Sequence, residues 1–183
     1  AVAFADEGVL LRERGITMPV VVLNADADSF DQMIANRLEP EIYSFRSLAD
    51  FADAVSHAGE TRYPVHIKLD TGMHRLGFME GEIGRLCEVL PTLPAVKVAS
   101  VFSHLNCADM PEEDAYTREQ IACYDRMSAA VAASLPYSVI RHTANSAAIE
   151  RFPEARFDMC RLGLGLYGFG WEHNAGLRPV SAL

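Results

Sequence analysis

The sequence has little positive charge. It carries 16 lysine and arginine residues against 25 aspartate and glutamate residues, which gives a formal net charge of -9 over 183 residues. Nucleic-acid binding depends on clustered lysine and arginine side chains that release counterions, and the sequence has no such cluster. We therefore expect no nucleic-acid partner.

Cysteine is also scarce, and its spacing argues against a zinc site. The cysteines are far apart and form no CxxC pair that could clamp a metal ion. They are Cys87, Cys107, Cys123 and Cys160. Scattered, unpaired thiols are typical of proteins from a reducing compartment, so a cytoplasmic protein is expected.

Long apolar runs are missing as well. No run reaches roughly 18 residues, which is the least that a membrane-spanning helix needs. No charged segment precedes a short apolar one, as it would in a signal peptide. We expect no membrane partner. Half of the residues are hydrophobic and 22% are charged, which is the profile of one soluble domain with a sizeable core.

What the sequence does contain is a repeated pattern, a short apolar run followed by an amphipathic helical segment. The runs that predict strands cover residues 1–4, 20–23, 41–45, 65–69, 96–102, 138–142 and 158–162. Alternating strands and helices predict parallel pairing, in a doubly wound sheet or a (β/α)8 barrel. Polar residues at the carboxyl ends of several strands favour the barrel. Seven strands are one too few to close it, so either a strand lies upstream of Ala1 or the barrel is the wrong choice.

The stretch HIKLDTGMHRLGF, at residues 66–78, places charge at the end of an apolar strand. Alternation puts His66, Lys68 and Asp70 on the face that points into a barrel. A lysine there must lower its pKa, find an anion or be modified. Arg75 follows a tight turn and is able to fold back over the strand end, which leaves two cations without an identified anion. Spacing alone leaves open the alternative that both cations are solvated.

Three further strand ends carry groups suited to an anionic ligand. His104 ends the strand in VFSHLNCAD, although a lone histidine is more often a satisfied core residue. In RHTANSAA, the N–H groups of a short helix and the Ser146 hydroxyl form an anion cradle, although Asn145 is equally well explained as a helix cap. Arg161 precedes Gly163, whose missing Cβ lets a phosphate approach the backbone. The four strand ends together predict a site for a phosphorylated, planar ligand.

These motifs resemble one family. HIKLDTGMHRLGF, VFSHL, TANSAA with RFPEARFDMCRLGLGLYG, and LRPVSAL are similar, in this order, to the barrel domain of alanine racemase, which binds pyridoxal 5′-phosphate (PLP). FRSLADF and residues 152–169 are most similar to the racemase half of a bifunctional protein that also carries the UDP-N-acetylmuramoyl-tripeptide:D-alanyl-D-alanine ligase. The resemblance implies an incomplete (β/α)8 barrel at residues 1–171, without its first strand and helix. Residues 172–183 would begin a linker to a C-terminal β-domain.

The resemblance also implies roles for individual residues. Arg75 would donate to the phenolic oxygen of PLP, and Lys68, carried as a carbamate, would orient that arginine. Arg161 would donate to the pyridine nitrogen, with His104 as its brace. Ser146, Gly163 and Leu164 would bind the phosphate group through hydroxyl and backbone N–H contacts. Asn145 would lie beside them in the cofactor-binding set.

Neither proton-transfer group of the family matches a position in this sequence. The lysine that bonds the cofactor is expected before Ala1, and the catalytic tyrosine, delivered by a partner subunit, after Leu183. The resemblance implies a cytoplasmic homodimer that interconverts L-alanine and D-alanine for peptidoglycan synthesis. Because such racemisation needs a base on each face of the substrate, the chain alone is expected to be inactive.

Two other functions stay open at this point. One is a PLP carrier with the same barrel and no catalysis. The other is a hydrolase in which a carbamylated lysine bridges two metal ions. The six histidines contain no HxH pair to complete such a centre, so no metal is expected.

Overall fold

The computed structural model describes residues 1–171, 174 and 176–180; the predicted linker at 172–183 therefore lies partly outside the described residues. The strands are β1 (Val21–Val22), β2 (Glu39–Ile42), β3 (Tyr63–Lys68), β4 (Val96–Phe102) and β5 (Ile140–His142). The α-helices are α1 (Ala5–Glu13), α2 (Phe30–Ala35), α3 (Phe45–His57), α4 (Ile83–Val89), α5 (Asp114–Ala133) and α6 (Ser146–Arg151). Among the described residues, no helix combines the length and apolar character that a membrane crossing requires.

The strands form one parallel sheet in the order β1-β2-β3-β4-β5, and a helix follows each strand. This confirms the α/β class that the alternation predicts. The second strand lies at Glu39–Ile42 and not at 41–45, because Ser44 already caps α3. Its Oγ accepts the Ser47 N–H at 3.1 Å, and a residue that caps a helix no longer continues the strand.

Residue 2 extends the sheet beside β1. Val2 forms a parallel bridge with Val22, and its N–H donates to the Val21 carbonyl at 2.8 Å. The strand predicted at residues 1–4 is therefore reduced to a single bridge. The sheet order is linear, so within the described ranges its two edges do not pair and the barrel stays open.

The strand predicted at residues 158–162 lies beside β5 but is irregular. The Asp158 N–H donates to the Arg141 carbonyl at 3.0 Å, and the Arg161 N–H donates to the Ala144 carbonyl at 2.9 Å. The Arg141 N–H, however, donates to the Asp158 side chain at 2.8 Å. Because a carboxylate takes this ladder position, a regular strand does not form.

The register between β3 and β4 shifts by one residue at Ala99. Before the shift Val65 pairs with Val98, and after it His66 pairs with Ser100. Such an extra residue in one strand is a β-bulge, and it changes the face to which the following side chains point. Ser100 thereby comes within 2.6 Å of His66 on the inner face of the sheet.

The apolar core fills the space between the outer face of the sheet and the helices. Val65, Ile67 and Leu69 are fully buried there, as the alternation in β3 predicts. The same alternation leaves His66 and Lys68 on the inner face, where both are also buried. The solvated strand end that spacing left open is therefore wrong for Lys68.

Candidate functional site

A cavity of about 470 Å³ opens at the carboxyl ends of β4 and β5. Its lining includes most of the residues that the sequence predicts to bind a cofactor, namely His104, Asn145, Ser146, Arg161, Gly163 and Leu164. The carboxyl edge of a parallel sheet is where α/β proteins assemble ligand sites, because loops from several strands converge there. Side chains that are up to 60 positions apart in the sequence thus share one wall.

Arg161 is the best-connected side chain of this wall. Its Nη1 donates to His142 Nδ1 at 2.9 Å, and its Nη2 donates to the carbonyl oxygens of Ser103 at 2.6 Å and Thr143 at 3.2 Å. Burial lowers the pKa of Arg161 to about 10, so it remains charged at neutral pH. Its Nε–H has no partner among the described residues, which leaves one donor for a ligand.

His104 lies beside Arg161, as predicted, but is not its nearest partner. The distance from His104 Nδ1 to Arg161 Nη2 is 3.4 Å. The distance from His142 Nδ1 to Arg161 Nη1 is shorter, at 2.9 Å. Burial, together with the charge of Arg161, lowers the pKa of His104 to about 4. The imidazole is therefore neutral at pH 7.

A chain of hydrogen bonds leads from Arg161 across the inner face of the sheet. Because Arg161 donates to Nδ1 of His142, the proton of that ring lies on Nε2, which donates to Ser100 Oγ at 3.0 Å. Ser100 in turn donates to His66 Nδ1 at 2.6 Å, and His66 Nε2 donates to Glu39 at 2.7 Å. We call these five residues the Arg161 network.

The ring of His142 is held in place by packing as well. It stacks on Phe102 with ring centroids 5.1 Å apart and an interplanar angle of 5°. Burial, together with the neighbouring Arg161 charge, lowers the pKa of His142 to about 3. A neutral His142 is what the network requires, since a protonated ring has no acceptor for Arg161.

The loop after β5 and the segment after Arg161 form an anion cradle. Asn145 caps α6, its Oδ1 accepting the Ala148 N–H at 3.0 Å. The Ser146 hydroxyl accepts the N–H groups of Gly163 at 2.9 Å and Gly165 at 3.1 Å. The first N–H groups of a helix have no acceptor within it, so they remain available to an anion.

Leu164 is 69% exposed and also lines the cavity. It lies between Gly163 and Gly165, whose N–H groups both donate to Ser146. A contact from Leu164 to a phosphate stays a prediction.

Lys68 has an anionic partner that the sequence reasoning missed. Its Nζ lies 3.5 Å from Oε1 of Glu41, a residue of β2 that is only 2% exposed. Burial lowers the pKa of Lys68, and the charge of Glu41 opposes that effect. Glu41 is thus an anion that the sequence motif had left unidentified. Period-two alternation was the available signal, because it puts Glu39 and Glu41 on the same face of β2.

Arg75 is not brought into the cavity. It lies in the loop between β3 and α4, is exposed, and makes no hydrogen bond or ion pair with the residues that the structure describes. The loop is organised by Asp70, whose Oδ1 accepts the N–H groups of Gly72 at 2.9 Å and His74 at 3.0 Å. Asp70 therefore shapes the loop and does not face the lumen.

The fold and the site together define a class, a parallel α/β barrel-type domain with a cavity at the carboxyl edge of its sheet whose lining is suited to an anionic ligand. Within the described residues, no three histidine, cysteine, aspartate or glutamate side chains lie close enough to hold a metal ion. The ligand chemistry of the site rests instead on arginine, neutral imidazoles, a hydroxyl and backbone N–H groups.

Comparison with known proteins identifies the family. The profile of the family "Alanine racemase, N-terminal domain" matches residues 1–170. Alanine racemase from Symbiobacterium thermophilum is 37% identical over 171 residues, covering 91% of this chain and 44% of that protein. The alanine racemase from Desulfovibrio desulfuricans is 37% identical over 189 residues, covering 100% of this chain and 50% of that protein. The chain belongs to the alanine racemase N-terminal domain family.

A solved structure gives the same result at the level of the fold. The alanine racemase of Clostridium difficile 630, in complex with cycloserine, superimposes with a TM-score of 0.88 at 31% identity. The match covers 98% of this chain and 50% of that one. The chain thus spans about half the length of the relatives that it matches, and it corresponds to their barrel domain.

Proposed function

We propose that this chain forms the cofactor-binding part of a PLP-dependent racemase that interconverts L-alanine and D-alanine. The observation that carries the proposal is that His104, Asn145, Ser146, Arg161, Gly163 and Leu164 line a single cavity. The names of the relatives support the reaction, and the cycloserine complex of the Clostridium difficile enzyme supports a site for a small amino-acid analogue.

The residues of the cavity fit PLP. The Ser146 hydroxyl, which accepts two N–H groups and keeps its own proton to donate, suits the phosphate. The unpartnered Nε–H of Arg161 suits the ring nitrogen. A volume of about 470 Å³ is ample for one such molecule. When bound, PLP supplies an electron-withdrawing ring that acidifies the α-proton of an amino acid.

The chemical contribution of this chain is the control of one proton. A guanidinium group does not give up its proton at physiological pH, so Arg161 keeps its own and leaves the ring nitrogen as an acceptor. His104 and His142, both neutral, do not compete as proton donors at that atom. An unprotonated ring nitrogen would make the cofactor ring a weaker electron acceptor. That would favour return of the α-proton over side reactions.

Finer features of the proposal come from the family resemblance. Lys68 and Arg75 would lie at the phenolic oxygen side of PLP, and the loop that carries Arg75 would have to close over the ligand. The whole protein would be a cytoplasmic homodimer that supplies D-alanine for peptidoglycan, and a ligase fused to it would make it bifunctional. The two proton-transfer groups would come from outside residues 1–183.

A titration of this chain with PLP tests the proposal. We expect reversible binding, followed by the change in cofactor absorbance, and no racemisation of alanine by this chain alone. The protein that contains the chain is expected to racemise alanine. Binding without racemisation by that whole protein would indicate the carrier function instead, and the absence of PLP binding by it would contradict the proposal.

A further inference from the structure

Lys68 and Glu41 form a buried pair on the inner face of the sheet. Their side chains are 8% and 2% exposed, and the distance from Nζ to Oε1 is 3.5 Å. The amine also lies 4.8 Å above the ring of Phe102, a contact that favours a cation. Lys68 and Lys97 are the two lysines of the sequence, which makes the state of this amine accessible to experiment.

We propose that Glu41 is the anion for Lys68 in this chain and keeps it as an ammonium group. The ion pair then takes the place of the carbamate that the family resemblance implies for this lysine. The inference rests on the proposed function, since it is that function which puts Lys68 beside the cofactor. Glu41 is a positioning residue that acts through Lys68.

The pair opposes carbamylation at the level of the reactant. In that reaction the lone pair of the neutral amine forms a bond to the carbon of CO2, one C–O π pair moves onto oxygen, and a proton leaves the nitrogen for solvent. An ammonium group has no lone pair to donate. Burial and the charges of Arg161 and Arg75 favour the neutral amine, and Glu41 is the group that opposes them.

The pair also opposes carbamylation at the level of the product. A carbamate on Lys68 would put a second negative charge within a few ångströms of the Glu41 carboxylate. Like charges at such a distance repel strongly where water is excluded. As an ammonium and a carboxylate, the two groups are neutral together, and neither is left as an unpaired buried charge.

Carbon-13 NMR of the chain in 13C-labelled bicarbonate tests the proposal. In the Lys97→Arg chain, the only lysine amine is that of Lys68. The α-amino group of the N-terminus can also form a carbamate. Its resonance is identified because it remains when Lys68→Arg is added. We expect no lysine carbamate resonance in the Lys97→Arg chain. We expect one to appear when Glu41→Gln is added, because the amide has the shape of the carboxylate without its charge.

Glu39→Gln is the matched control. It removes the neighbouring acidic group of the same strand, which pairs with His66 and not with Lys68, so no carbamate is expected. A Lys68 carbamate in the Lys97→Arg chain would overturn the proposal. That chain still contains both Lys68 and Glu41, so the result does not depend on disturbing their ion pair. The absence of the carbamate from a folded Glu41→Gln variant, or its presence in Glu39→Gln, would equally show that Glu41 is not the deciding group.

The experiment distinguishes a failure of this inference from a failure of the proposed function. The spectra are recorded without PLP, so a chain that fails to bind the cofactor still reports the state of Lys68. Conversely, a carbamate found in the Lys97→Arg chain would leave PLP binding by Arg161 and Ser146 untouched.

Discussion

The inner face of the sheet holds two cations, half-buried Arg161 and buried Lys68, in contrasting ways. Arg161 is surrounded by neutral acceptors, three carbonyl oxygens and the His142 ring, whereas Lys68 is held by the charge of Glu41. Neutral dipoles stabilise a group that never loses its proton. A single counter-charge stabilises a group whose state depends on that partner alone. The first arrangement fixes a charge, and the second leaves it adjustable.

The largest effect on this contrast is expected from Arg161→Ala. Removal of the guanidinium leaves the carbonyl oxygens of Ser103 and Thr143 buried without donors, which we expect to lower the free energy of unfolding by about 4 kcal/mol. Urea unfolding gives the value. Arg161→Lys serves as the control, because it keeps the charge with fewer donors and is expected to lose about half as much. Equal losses would show that charge alone is responsible.

Lys68→Met is expected to cost about 3 kcal/mol, because it leaves the Glu41 carboxylate buried and unpaired. Burial already raises the pKa of Glu41, and loss of the lysine removes the main opposing influence. The folded state of the variant then binds a proton more tightly than the unfolded state, so its lost stability returns as the pH falls. Unfolding at several pH values measures this. Adding Glu41→Gln should remove the pH dependence, and its persistence would contradict the assignment.

The Arg161 network is expected to respond to acid in the opposite direction. The pKa of His142 is about 3 in the folded chain against 6.5 for the ordinary side chain, so between these values the unfolded state binds the extra proton. Stability is complete above pH 6.5 and falls by at most about 1.4 kcal/mol per pH unit below it. In His142→Asn this part of the slope should vanish. A slope equal to that of the unchanged chain would mean that His142 is not held neutral.

The smallest effect concerns the ligand. Ser146→Ala removes a hydroxyl from the cradle, and we expect about tenfold weaker PLP binding in the titration, the equivalent of one hydrogen bond. Ser56→Ala is the control, since that hydroxyl bonds to Ala52 within α3, far from the cavity. If both variants bound PLP as the unchanged chain does, the cradle would not be the phosphate site.

Much of the site could be predicted because its residues stand in local motifs. His104, Asn145 and Ser146 follow β4 and β5, and the ends of parallel strands meet at one edge of the sheet. Arg161, Gly163 and Leu164 lie in or just after the irregular segment beside β5. The order of the strands in the sheet also follows from the alternation of strands and helices along the sequence. Such inferences need only the direction of each strand, which the sequence pattern supplies.

The partners within the sheet could not be predicted, because they depend on register. Strict alternation in β4 would turn Ser100 and Phe102 toward the helices with Val98. The bulge at Ala99 turns them inward, so that Ser100 reaches His66 and Phe102 stacks on His142. Glu41 was missed for a similar reason, since its contact with Lys68 crosses between two strands. The position of Arg75 depends on a loop, for which periodicity carries no information.

The Arg161 network runs at right angles to the strands, from β2 to the segment beyond β5. Each backbone ladder connects only two neighbouring strands. The side chains of the Arg161 network connect β2, β3, β4 and β5 to Arg161 by hydrogen bonds. The position of Arg161 at the cavity is thereby tied to side chains of four strands.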